Sequence, residues 1–398
     1  MNVLSARLSL VFSCIGHAYS HLFAPIFYVV ALSLEKEWGM THGEVVSLIV
    51  LGNVLFGVAA PLAGWLGDRW SSTGMIALFF LGTGTGMVLA GLADTPTMMM
   101  IWLALTGVFA SIYHPVGIAW LVRHAEKRGT ALGINGVFGG IGPGLAAVTA
   151  GLLIDLAGWR AAFVVPGLVL LATATVFVVL LKRGVIIETT QDRVPSPPAS
   201  RQDTLRAAMV LAVTMLATGL IYQATQSAMP KAFSIGMADW LHDGALGVSA
   251  FVAIIYFVAG FLQVAAGWLA DRYPLKLVYT LAFALQVPLL MGAAAFSGGS
   301  LFVAALLLVT VNVGALPAEN SLLARYAPSK HRGLAFGLKY IMAFGLSGLG
   351  VWMEGLLFDR TGGFFILFMV LAAVAAVGTA ANLLLPGERP SPAPAPAE

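Results

Sequence analysis

Gly64-Trp65-Leu66-Gly67-Asp68-Arg69-Trp70 returns 203 residues later as Gly267-Trp268-Leu269-Ala270-Asp271-Arg272-Tyr273. Two further pairs hold nearly the same register. Arg128-Gly129-Thr130-Ala131-Leu132-Gly133 answers Arg332-Gly333-Leu334-Ala335-Phe336-Gly337, and Gly151-Leu152-Leu153-Ile154-Asp155 answers Gly355-Leu356-Leu357-Phe358-Asp359, both at an offset of 204. Three matches in register over half the chain mark a duplicated unit of roughly 200 residues.

What that unit is follows from its composition. The chain has 59% hydrophobic residues, 10% charged residues and a mean hydropathy of +0.91, where a soluble domain carries about a quarter charged residues. Apolar runs of about 20 residues, each able to cross a hydrocarbon core of ~30 Å as a helix, recur along its length. Forty-five glycines suit helices packed backbone to backbone. The ~10-residue alternating segments of a membrane β-barrel are absent. The reading is an all-α polytopic membrane protein with twelve spans: 8–34, 44–67, 74–93, 98–121, 129–153, 161–181, 207–230, 246–269, 277–296, 301–324, 333–357 and 363–385.

Charge sets the orientation. With the N-terminus in the cytoplasm, 16 Lys and Arg lie inside, four (Lys36, Arg160, Lys231, Arg360) lie outside, and Lys339 falls within a span. The positive-inside rule therefore predicts an inner (plasma) membrane protein with both termini cytoplasmic. Between spans 6 and 7, a polar stretch with Pro195, Pro197 and Pro198 reads as a linker. The expected organisation is a six-helix bundle over 1–181, a cytoplasmic linker over 182–206, a second bundle over 207–385 and a disordered tail over 386–398. Six spans per half make the two repeats parallel. The single Cys14 excludes an internal disulfide and a cysteine metal cluster, and basic residues confined to short loops give no nucleic-acid signature.

Twelve spans in parallel halves, with Gly-x-Leu-x-Asp-Arg between spans 2 and 3 and again between 8 and 9, resemble the major facilitator superfamily over essentially the whole chain. The family motif continues with Gly and basic residues, where this chain has Ser71, Ser72 and Thr73, then Pro274, Leu275 and Lys276. The resemblance implies an alternating-access secondary transporter, usually monomeric and without a cofactor. It also implies that Gly64, Asp68, Arg69, Gly267, Asp271 and Arg272 form a clasp that holds one conformation and releases during transport. Gly139, Gly142, Pro143 and Gly144 in span 5 resemble the glycine-proline motif of family exporters, although Gly and Pro bend a membrane helix in any case.

Ionisable and polar groups inside spans are costly and mark candidate sites. His17 and His21 stand one turn apart in span 1, on a face shared with Pro25 and Tyr28. Counted at ~1.5 Å per residue, His17 lies about 15 Å from Arg7, and His114 in span 4 about 14 Å from Arg123, so the two share a depth. Aligning Pro25 with Pro230 sets His17 opposite Tyr222 and His21 opposite Gln226. Because the family lines its cavity with the first and fourth helices of each half, His17, His21, His114, Tyr222, Gln226, Asn312, Glu319 and Asn320 are the expected lining. For each, a hydrogen bond that only packs helices is the competing role. Glu319 and Lys339 lie at equal depth on adjacent antiparallel helices, which predicts a buried ion pair, either fixed or exchanging partners during the cycle.

Two histidines alone do not make a metal site, so none is expected. The overall reading is a secondary transporter of a small organic solute, amphipathic or anionic, coupled to protons through His17, His114 or Glu319. A drug or metabolite efflux antiporter is the alternative within transport. A non-transporting sensor or scaffold is the alternative outside it. No catalytic constellation or nucleotide motif points to an enzyme.

Overall fold

The computed structural model describes residues 3–125, 128–188, 201–241, 244–327 and 332–387. Lys127, Arg193, Lys330 and Arg389, the core of the linker at 189–200 and the tail from 388 lie outside the described residues. All regular structure among the described residues is helical. Twelve helices are long and apolar enough to span: Leu4–Trp38, His42–Arg69, Ser72–Gly91, Pro96–His124, Gly129–Ala157, Trp159–Lys182, Gln202–Gly236, Ala245–Arg272, Leu275–Ala295, Gly298–Tyr326, Ala335–Thr361 and Phe365–Leu383. These are spans 1 to 12. Most run past their expected ends, because the apolar pattern stops at the first charges while the helix continues into the polar interface. Span 7 is the clearest case: its helix starts at Arg201, inside the stretch read as linker.

Local chemistry sets the turns between spans. Gly39 ends span 1 in the left-handed region (φ 62°), and Thr41 then starts span 2 with a capping box, its side chain accepting from the Glu44 amide while Glu44 accepts from the Thr41 amide. Ser71 caps span 3 and Thr95, followed by Pro96, caps span 4.

Span 1 is interrupted between helices Val3–Ser20 and Phe23–Trp38. Span 4 widens into a π-helical turn at Tyr113–Gly117, where Pro115 cannot donate a backbone hydrogen bond. Span 11 has a similar irregularity at Ile341–Gly345. These breaks fall near mid-span, where the candidate residues are.

We call the face where span 1 begins the near face and its opposite the far face. Glycine contacts join the two halves. A Cβ on Gly57 of span 2 would fall 2.1 Å from the Gly345 nitrogen of span 11, and one on Gly140 of span 5 would fall 2.6 Å from the Gly260 Cα of span 8. Side chains at these points would force the helices apart. Spans 5 and 8 stay in contact toward the far face, at Gly144 against Phe257 and Gly151 against Ser249. Toward the near face, Gly129, Gly133, Gly136 and Gly267 have nothing within 4 Å of a built Cβ, so these two helices part there.

Candidate functional site

The histidines of spans 1 and 4 meet. His17 Nδ1 donates to the Asn135 backbone oxygen at 2.8 Å, which fixes its tautomer and leaves Nε2 as a free acceptor. Asn135 is itself held, its side chain donating to the Tyr113 hydroxyl at 2.7 Å and to Ser13 Oγ at 3.2 Å, while the Tyr113 hydroxyl donates to the Ser13 carbonyl at 2.6 Å. The Tyr113 ring stacks on His17 with centroids 5.1 Å apart. Gly139 lies flat against the same imidazole, where a Cβ would come within 2.3 Å of Cε1. The glycines of span 5 therefore seat span 1.

His114, carried by the π-helical turn, completes a triangle. Ring centroids are 5.4 Å apart for His17 and His21, 5.3 Å for His17 and His114, and 5.1 Å for His21 and His114. On the side of the second half, Tyr340 and Phe344 of span 11 stack on His114 at 5.3 and 5.4 Å, nearly parallel to it. The cluster thus packs against the second half.

The second half contributes its own pair. Lys339 Nζ lies 2.8 Å from Glu319 Oε1, the Tyr279 hydroxyl donates to Glu319 Oε2 at 2.6 Å, and Lys339 also donates to Asn320 Oδ1. Glu319 and Lys339 are both buried, so the charges compensate each other where water cannot. Tyr340, the next residue after Lys339, is the ring stacked on His114.

The other candidates gather elsewhere: Tyr222 and Asn312 line one small cavity in the second half. Tyr28 follows the break in span 1 and accepts from Asn53 at 2.9 Å. Gln226 donates to the Tyr222 and Tyr256 hydroxyls at 2.9 and 3.3 Å, and Asn312 donates to Gln286 at 2.9 Å, so these residues link helices within the second half.

The clasp residues differ between the copies. Gly64 and Gly67 pack against Pro115 and Val116 of span 4, with a Cβ at Gly64 reaching 3.1 Å from Pro115 Cβ, and Asp68 lies 3.7 Å from Arg123. Arg69 lies over the Trp65 ring at 5.8 Å. In the second copy Arg272 covers Trp268 at 4.4 Å and Asp271 is exposed, but Gly267 has no neighbour within 4 Å of a built Cβ, unlike Gly64.

The far face carries a charged network that sequence reasoning missed. His42 Nδ1 lies 2.7 Å from Glu35, and its Nε2 lies 2.8 Å from Glu354 in the other half. A carboxylate on each ring nitrogen takes a hydrogen from each, so the ring is an imidazolium. Ser227 donates to the second Glu354 oxygen at 2.8 Å, and Lys231 pairs with Glu35. Two anions and two cations balance. Asp359 accepts from Thr41 Oγ1 at 2.6 Å and from the Gly43 amide at 3.0 Å. Asp155 of span 5 caps span 8 across the halves, accepting from the Ala245 and Leu246 amides at 2.7 and 2.9 Å. Glu354 is fully buried. The only sequence signal was the ionisable residues bunched around the turn at Gly39, which say nothing about the span opposite.

The family profile described as Major Facilitator Superfamily matches residues 13–316 and 232–398. The chain belongs to the major facilitator superfamily. This superfamily member is 25% identical over 394 residues to the 4-hydroxybenzoate transporter of Pseudomonas putida, covering 88% of this chain and 86% of that one. It is 29% identical over 131 residues to a puromycin resistance protein of Streptomyces alboniger, spanning 32% of this chain but 26% of that one. It is 31% identical over 158 residues to a benzoate transport protein of Acinetobacter baylyi, spanning 36% of this chain and 32% of that one. Among solved structures, the nucleoside transporter NupG superposes with a TM-score of 0.71 at 14% identity over 95% of this chain and 99% of that one. A bacterial homologue of the human lysosomal transporter Spinster gives 0.68 at 13% over 96% and 95%. The superfamily member is thus a multi-pass membrane protein of transporter fold, and the relatives from Pseudomonas putida and Acinetobacter baylyi are named as transport proteins rather than enzymes.

Proposed function

We propose that this protein carries a small organic anion across the inner membrane by alternating access, coupled to protons, as a monomer with cytoplasmic termini. The observation that carries the reading is the central one. Three histidines of the first half face two aromatic rings of the second half, one of them adjacent in sequence to the paired Lys339. Imidazoles and an ammonium offer positive charge or donors to an anion, and Tyr340 and Phe344 offer flat apolar faces. The relatives named for benzoate and 4-hydroxybenzoate make an aromatic carboxylate the first solute to test.

The far-face network holds the halves together while spans 5 and 8 part at the near face. In this reading the near face is cytoplasmic and the site opens inward. Proton coupling runs through His17, His114 or Glu319, and of these His114 is stacked on rings of the other half that it leaves as the halves rock. The clasp around Asp68 and Arg123 tightens and loosens with the same motion.

The test is uptake of labelled 4-hydroxybenzoate by proteoliposomes with and without an inward proton gradient. Gradient-stimulated uptake that is abolished in His114→Gln supports the reading. Uptake indifferent to the gradient removes the coupling, and no flux or binding of any small carboxylate by folded protein removes the substrate class. The local similarity to a puromycin resistance protein keeps efflux in view, and inside-out vesicles that accumulate solute decide for it.

A further inference from the structure

We propose that His17, His21 and His114 form a binding site for a borderline divalent transition metal ion, of the zinc class, where the first half packs against the second. One ligand nitrogen from each histidine lies within 4.8 Å of the other two. Tetrahedral coordination with bonds of about 2.1 Å needs nitrogens about 3.4 Å apart, so closure asks for a contraction of roughly 1.4 Å, within reach of side-chain rotation.

Two independent features point to a ligand. His114 is 7% exposed, yet its Nε2 has no hydrogen-bond partner among the described residues. Buried polar atoms are normally satisfied, and an unsatisfied one on a ring that touches two other imidazoles calls for an occupant. His17 is also arranged as metal-binding histidines are: its Nδ1 hydrogen is given to the Asn135 carbonyl, which leaves the Nε2 lone pair oriented and free.

The donor set selects the ion. Three neutral imidazoles without a thiolate suit zinc, cobalt, nickel or copper and not magnesium or calcium, which want oxygen. Lys339 is the nearby cation on span 11, and Glu319 pairs it, so its charge is offset. Three protein ligands leave a position open for water or for a carboxylate from solution. All three ligands belong to the first half, so the site persists when the halves move. The separation of spans 5 and 8 at the near face gives the ion a path in.

The experiment uses untagged full-length protein in detergent, titrated with zinc by calorimetry and with cobalt by visible spectroscopy. The expected result is one equivalent of zinc, a tetrahedral cobalt spectrum, no response to magnesium, and affinity at least ~10-fold weaker in His17→Gln and His114→Gln. His21→Cys should keep cobalt and add a thiolate charge-transfer band, a signature that a merely structural histidine would not give. Folded wild type without a saturable one-to-one site, a site unchanged in His114→Gln, or His21→Cys without the new band would each overturn the proposal. If a Gln variant does not fold, the His21→Cys spectrum alone decides. Solute transport does not enter the readout, so failure here leaves the organic-anion reading standing.

Discussion

Replacing Glu354 by Gln should release the far face. Glu354 is fully buried and accepts two charge-assisted bonds, one from His42 at 2.8 Å that joins the halves and one from Ser227 at 2.8 Å within the second half. Gln keeps the shape and one acceptor oxygen but loses the charge. Charge-assisted bonds exceed neutral ones by about 1 kcal/mol, and only the His42 bond crosses the halves, so about 1 kcal/mol is at stake. Because that stabilisation is confined to the closed far face, the ratio of far-open to far-closed molecules rises about 5-fold. The assay is pulsed electron resonance between spin labels on Lys36→Cys and Asp239→Cys, both exposed near the far ends of spans 1 and 7. The sole native cysteine, Cys14, is buried and does not compete for label. A longer distance population should grow in the Glu354→Gln background, whereas Ser227→Ala, which breaks no contact between the halves, should leave it unchanged. Distance distributions superimposable on wild type, with an unchanged melting profile, would show that the network does not hold the halves.

Glu319→Gln leaves Lys339 buried beside a neutral partner, so it should cost about 3 kcal/mol of stability, and Glu319→Gln with Lys339→Met should recover most of it in a denaturation series. Recovery of solute flux in that double variant would show the pair to be purely structural. Gly139→Ala puts a methyl 2.3 Å from His17 Cε1, so it should cost about 1–3 kcal/mol by overpacking and abolish uptake in proteoliposomes. Normal uptake by that variant would mean that the seat of His17 is not critical. Asp155→Ala removes the cap on span 8 and should cost about 1 kcal/mol in the same melts, with a shift toward far-open molecules.

The sequence made the fold readable because membrane spans and a duplicated motif are one-dimensional signals. Helical rise also works as a depth gauge: it placed His17 with His114 and Glu319 with Lys339, and both pairs meet. The gauge says nothing of partners: Tyr28 lies beyond the interruption after Ser20 and accepts from Asn53. It also cannot say which helix ends come together across the two halves. His42, Glu35, Lys231 and Glu354 each look like an ordinary solvated end, and only their juxtaposition buries them. His21 drew attention as one of a pair, but the third histidine is nearly 100 residues away in sequence and needs the packing of span 4 on span 1.

The contact of Gly140 with Gly260 makes spans 5 and 8 a pair of crossed levers. From Gly140 the arm of span 5 runs about 26 Å to Ala157 at the far face but only about 18 Å to Arg128 at the near face. A tilt of about 15° about that point moves the far tip by about 7 Å and the near tip by about 5 Å. The longer arm ends at Asp155, whose bonds of 2.7 and 2.9 Å cannot stretch over such a stroke. They must break together, so a few hydrogen bonds at the end of the long arm oppose with the greatest torque any force that closes the short one.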